Sequence, residues 1–262
     1  MTAFTDDDAA AAARSAQVRE LIDRAQSEDV FLTVLSAMDL CVLGGPKQAL
    51  FDEAPTRAWG DLRSKGRKKL PGVIFEELEE RGLLIRQAPT VPLAAPGGQV
   101  EPEVQDYALS PKLGVVMAAR SRPAVAVTCE FQQLPTRHPR LFALGDEQDP
   151  VQALVREAPV AAPPGDFPHL RKAGPLAWFY QYDLVSKPSA AAFLAGWALL
   201  RSEARPKSAR LVTVLRNDGA RFLTVQTLAI YTDDGTTARL DGGQYDKAEL
   251  TSIMSSMLNT QQ

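Results

Sequence analysis

Residues 210–231 read RLVTVLRNDGARFLTVQTLAIY. Two runs rich in Val, Leu, Thr and aromatic residues flank Asn217-Asp218-Gly219, whose residues tolerate positive φ. The stretch therefore predicts an antiparallel hairpin with strands over 210–216 and 221–231. A further turn at Asp233-Asp234-Gly235 leads to an extended piece over 236–240. The chain then closes on Asp246-Lys247-Ala248-Glu249, a D-x-x-E cap in which the acids serve backbone N–H groups reciprocally. Leu250, Ile253, Met254, Met257 and Leu258 follow at i, i+3, i+4, i+7 and i+8 spacing, a clear helical stripe. Upstream, Ser189 is expected to cap a helix carrying Phe193, Trp197 and Leu200, and a break over 202–209 separates it from the hairpin.

The front of the chain shows the same kinds of parts. Val18, Leu21, Ile22 and Ala25 recur at helical spacing, and residues 30–35 (VFLTVL) form a β-type apolar run. Ser36-Ala37-Met38-Asp39 matches a capping box, and the helix it starts must stop at Gly44-Gly45-Pro46. Residues 71–81 (PGVIFEELEER) predict an amphipathic helix with Val73, Ile74 and Leu78 on one face and Gly82 as its stop. Tyr107-Ala108-Leu109 is a short extended piece, and Ser110-Pro111 is an N-cap with proline at the first helical position for a helix through Met117. Residues 124–131 alternate as a strand, with 140–146 and 150–158 as candidates to pair with it. Turn formers crowd residues 88–103, an exposed loop, and residues 158–175, a connector between halves. The organisation expected is a lead-in and helix over 1–29, a first half over 30–157, the connector over 158–175 and a second half over 176–262, together one continuous α+β domain with an internal pseudo-repeat.

Composition narrows the function classes. The 262 residues are 45% apolar and 23% charged, with 29 basic against 32 acidic side chains and a net charge of −3, so no general pull toward nucleic acid or anionic lipid exists. No stretch approaches the ~18 apolar residues of a membrane span, and the acidic, Ala-rich start lacks the basic and apolar regions of an export signal. The 2 cysteines, Cys41 and Cys129, lie far apart in apolar runs, which fits a reducing cytoplasm. The 2 histidines, His138 and His169, each sit beside proline with no ligand-spaced Cys or His, and no GxSxG, HExxH or phosphate-loop motif occurs. The expectation is no catalytic residue, no metal and no cofactor.

Three features admit a functional reading beside a structural one. Arg63, Lys65, Arg67, Lys68 and Lys69 cluster in RSKGRKK, ahead of a wing-like excursion over 83–109; the alternatives are a winged-helix DNA-binding regulator and a solvated basic loop. Glu76, Glu77, Glu79 and Glu80 weigh against the first, since a recognition helix meets phosphates. Trp178, Phe179, Tyr180 and Tyr182 either pack the seam between halves or stack a partner. Met254 and Met257 are either core or the lining of a partner groove.

TVLSAMDLCVLGGPKQAL (33–50), EELEERGLLIRQ (76–87), YALSPKLGVVMAARSRPAVAV (107–127) and the closing hairpins with their capped terminal helix resemble, in order of elements over about residues 30–258, the EspG family of type VII (ESX) secretion-associated chaperones of actinobacteria. The Trp found in the first helix region of many members is absent from LCVLGG, and the 88–103 loop is long. The resemblance implies a quasi-twofold antiparallel β-sheet with helical bundles, no enzymatic activity, and a cytoplasmic protein that holds a helical PE/PPE-like secretion substrate in soluble form, with neither membrane nor nucleic acid as partner. Such a chaperone needs a sheet face left open. By the period-two rule Phe222, Thr224, Gln226, Leu228 and Ile230 share one face of the 221–231 strand, while Leu223, Val225, Thr227 and Ala229 share the other, which suits packing beneath helices. The alternative swaps the two faces. We expect Phe222, Thr224, Gln226, Leu228, Met254 and Met257 to bind the partner.

Overall fold

The computed structural model describes residues 6–44, 52–87, 106–121, 123–131, 137–144, 153–165, 167–200, 209–232 and 234–259. The loop expected over 88–103, Gly45-Pro46 and nearly all of the 202–209 break lie outside them.

Helix α1 (Asp6–Ala25) buries Ala25 and packs Val18, Leu21 and Ile22 against the core, as their spacing predicts. Strand β1 (Val30–Ser36) then runs into α2 (Ala37–Gly44) through the expected capping box: Asp39 N donates to Ser36 Oγ at 3.0 Å and Ser36 N donates to Asp39 Oδ2 at 2.8 Å. Helix α3 (Glu53–Asp61) precedes α4 (Ser64–Glu80), which begins seven residues before the predicted start at Pro71. Proline there is interior rather than first. Pro71 cannot donate to the Arg67 carbonyl, but Arg67 is on an exposed turn open to solvent, and the lysine and arginine side chains upstream favour helix. The basic run is thus helical, not a loop.

Strands β2 (Leu84–Arg86) and β3 (Tyr107–Leu109) pair antiparallel, so the excursion between them starts and ends as a hairpin. Helix α5 (Pro111–Ser121) follows, capped by Ser110, whose Oγ accepts from Leu113 N at 3.3 Å, and it runs past the predicted end at Met117. Then come β4 (Val125–Phe131), β5 (Arg140–Ala143) and β6 (Leu154–Val160). Only β5 pairs with β4 as expected; β6 pairs with β5, and the other neighbour of β4 comes from far along the chain. The connector holds two 3₁₀ turns, Pro168–Leu170 and Gly174–Ala177, which bury Leu170 and Leu176.

Strand β7 (Phe179–Val185) leads to α6 (Lys187–Ala198). Its N-cap is Ser186, not Ser189: Ser189 N donates to Ser186 Oγ at 3.3 Å, with Pro188 in the first turn. Strands β8 (Arg210–Asn217) and β9 (Phe222–Ile230) form the predicted hairpin. A small hairpin, β10 (Ala238–Leu240) with β11 (Gly243–Tyr245), leads to α7 (Lys247–Asn259), whose Asp246/Glu249 cap forms at 2.9 Å in both directions.

The fold is α+β, with one seven-stranded antiparallel sheet ordered β1-β7-β6-β5-β4-β8-β9. Alternation along its strands sorts side chains between two cores. Ala126, Phe142, Val155, Tyr182 and Leu184 meet Leu40, Ile74, Leu78, Leu113 and Val116 from the helices of the first half. Val127, Leu141, Leu154, Val185 and Val212 meet Leu194, Ala195, Leu250 and Met254 from α6 and α7. The halves therefore interleave: β1 pairs with β7 and β4 with β8.

Candidate functional site

Strand β9 is an outermost strand of the sheet, and among the described residues its outer edge is unpaired until Tyr231 bridges Arg239. At the hairpin tip, Gly219 takes φ +91°, Gly219 N donates to Asn217 Oδ1 at 2.9 Å, and Ala220 N and Arg221 N donate to Asp218 Oδ1 at 2.9 and 2.8 Å. Those backbone donors hold the Asp218 carboxyl below its ordinary range.

The register breaks between Val214 and Leu215: Val214 lies opposite Gln226 while Leu215 lies opposite Thr224, which leaves Val225 as an extra residue in the strand. One inserted residue reverses the alternation. Leu223, Gln226, Leu228 and Ile230 share the face of Val212 and Val214, while Phe222, Thr224, Thr227 and Ala229 share the other. The single face expected for Phe222, Thr224, Gln226, Leu228 and Ile230 is therefore split by a bulge that period-two counting cannot see.

Burial revises the residue set as well. Leu228 is buried, and Met254 and Met257 lie in the core formed with α6, where the alanines of that helix admit the long thioether side chains; none of the three offers a surface. Phe222 is half-buried against the other core, while Thr224 and Gln226 are exposed. The apolar surface that is open comes instead from residues that alternation assigns to the side beneath the helices: Leu223 is 41% and Val225 53% exposed. Tyr231 and Leu200 are exposed too. On the second face, Thr213 and Thr227 place their hydroxyls 3.1 Å apart in solvent. At the outer end of the sheet the free strand edge thus has exposed Leu223 on one side and the threonine hydroxyls on the other, with Val225 exposed at the bulge.

A second surface lies on α4. Lys65, Arg67, Lys68 and Lys69 are all exposed on its first turns, with α3 before it and the β2–β3 hairpin after it. The acidic end of the same helix is partly neutralised, since Glu79 accepts from Arg86 Nη2 at 2.6 Å and Glu77 lies 3.4 Å from Arg81 Nη1. The aromatic cluster after the connector is structural: Phe179, Tyr180 and Tyr182 are buried, and Arg137 lies 5.9 Å over the half-buried Trp178 ring.

Beneath α5 lies a charged network that the sequence did not announce. Glu157, fully buried, accepts from Arg120, from Arg140 Nη1 at 2.6 Å and from the Tyr182 hydroxyl at 2.6 Å. Arg140 also binds Asp52, which accepts from the Tyr180 hydroxyl. Burial raises both tyrosine hydroxyls above their ordinary range, so they stay protonated and serve as donors. Burial also pushes the Cys41 thiol up to about 12 and the Cys129 thiol higher, so neither is a thiolate at neutral pH. One convergence of possible metal ligands exists among the described residues, Asp39, Glu77 and His169.

Compared with protein-family models, with curated proteins and with solved structures, the chain matches none.

Proposed function

We propose that this protein is a non-enzymatic cytosolic chaperone or adaptor of the EspG type, which shelters a helical type VII secretion substrate of PE/PPE character. The observation that carries the reading is the open outer end of the sheet, where Leu223 and Val225 stand exposed along an unpaired strand edge. An exposed apolar edge of this kind takes the apolar stripe of an amphipathic helix, while the unpaired backbone groups of the strand offer hydrogen bonds to its flanks. The quasi-twofold arrangement belongs to the same reading: each half supplies strands to the one sheet and a helical group to one of its faces. Co-expression with a PE/PPE-like substrate pair tests it. The expected result is a soluble complex on size exclusion that the double substitution Leu223→Asp/Val225→Asp abolishes without altering the circular dichroism of the chaperone. Equal aggregation of the substrate with and without this protein defeats the reading.

A DNA-binding regulator is the second reading, favoured by the exposed basic turns of α4 between α3 and the β2–β3 hairpin. Fluorescence anisotropy with duplex DNA at two salt concentrations decides it, since binding through several phosphates falls steeply with salt. Flat titrations dismiss it.

A further inference from the structure

We propose that Asp39, Glu77 and His169 form a binding site for one Zn²⁺ ion, a site that goes beyond the docking surface above. The residues come from three separate elements, α2, α4 and the 3₁₀ turn Pro168–Leu170, and one ligand atom from each lies within 4.8 Å of the others. His169 Nε2 stands 3.4 Å from Glu77 Oε2. That separation is the edge of a tetrahedron with metal bonds of ~2.0–2.1 Å, so two ligands already stand at coordination spacing and only Asp39 has to move in.

The hydrogen bonding distinguishes this cluster from an ordinary group of surface acids. Asp39 Oδ1 and His169 Nε2 are both buried and have no hydrogen-bond partner among the described residues, a costly arrangement for polar atoms. The other atoms of the carboxylates are engaged: Asp39 Oδ2 accepts from Ser36 N at 2.8 Å, and Glu77 Oε1 faces Arg81 Nη1 at 3.4 Å. Each carboxylate is thus oriented by an outer partner while leaving an oxygen to spare, as in metal sites whose ligands are held from behind. Arg81 does not complete the cluster. Its Nη1 is 3.7 Å from Asp39 Oδ2, its Nη2 is bound to the Val34 carbonyl, and one guanidinium balances only one of the two carboxylates.

An imidazole with two carboxylates and no thiolate suits Zn²⁺ better than Mg²⁺ or Ca²⁺, which prefer all-oxygen shells. Glu77, Arg81 and His169 also line a groove of about 1160 Å³ that runs between α1, β1 and α4. The ion therefore has an entry path, and a fourth coordination position faces the groove, where water completes the shell.

The test uses the full-length, untagged chain stripped with chelator and titrated with Zn²⁺ in a calorimeter, with Co²⁺ absorption as the spectroscopic probe. One Zn²⁺ per chain is expected, with visible Co²⁺ bands. His169→Ala and the near-isosteric Glu77→Gln should each weaken uptake by about 10–100-fold. Zn²⁺ should raise the Tm of the parent chain but not of either variant, and His138→Ala should bind as the parent does. No stoichiometric uptake by the parent chain overturns the site. So does uptake unchanged in His169→Ala, uptake lost in His138→Ala, or tighter binding of Mg²⁺ or Ca²⁺ than of Zn²⁺.

Discussion

Glu157 carries its charge in a fully buried position because two guanidiniums and a phenol hydroxyl surround it. Such a cluster is stable only while it is complete: removing one member strands the others in a medium that solvates them poorly. Glu157→Leu should therefore destabilise the protein by ~3–5 kcal/mol in urea unfolding, far more than the gain from one additional apolar side chain. A second residue sets a pH response. Burial lowers the pKa of His138 from its ordinary value of 6.5, so the folded state disfavours the imidazolium. For a base with a lowered folded pKa the unfolded chain binds more protons below 6.5; that contribution to stability is present above pH 6.5 and is lost as the pH falls toward the folded pKa. His138→Gln should flatten the decline in stability between about pH 6.5 and 5, followed by Tm across that range; an unchanged decline assigns it to other groups.

Among the elements, the Ser36/Asp39, Ser110 and Asp246/Glu249 caps are legible because their chemistry is local, whereas the α6 cap falls three residues ahead of Ser189, at Ser186. Asp246 and Glu249 reach backbone N–H groups only three residues away, so Asp246→Ala should cost ~1 kcal/mol whatever the rest of the chain does. Met254 is another matter: its stripe marked it as helical, but whether the stripe met core or solvent depended on α6, more than fifty residues upstream. It is buried there, so Met254→Ala should cost ~2–5 kcal/mol through the cavity it leaves, and a denaturation midpoint close to the parent's would contradict its core role. The bulge at Val225 was invisible for a similar reason, since an inserted residue is defined by the partner strand it fails to match. The start of α4 was misplaced because proline usually marks a first turn, and only the solvent exposure of the preceding turn makes an interior proline tolerable. His169 shows the limit most sharply: nothing near it in the chain suggests a ligand, and Asp39 and Glu77 reach it only through the packing of α2, α4 and the connector.

At the scale of the whole molecule, the apparent division of the chain into halves does not survive as a division of stability. The helices of the first half cover one face of the sheet and those of the second half the other, yet two strands of the second half pair with the first: β7 lies between β1 and β6, and β8 lies between β4 and β9. Cutting at the connector would expose the edges of β1, β6 and β4, and it would leave β7 without either neighbour. A fragment over 176–262 would keep the β8–β9 hairpin, α6 and α7, but it would lose Val127, Leu141 and Leu154, which close their core. We expect that fragment to show weak circular dichroism and no cooperative melt, and the whole chain to unfold in one transition that near-UV and far-UV signals follow together. A cooperative transition in the isolated fragment would instead mean that α6, α7 and the β8–β9 hairpin form a unit that folds before the sheet is joined.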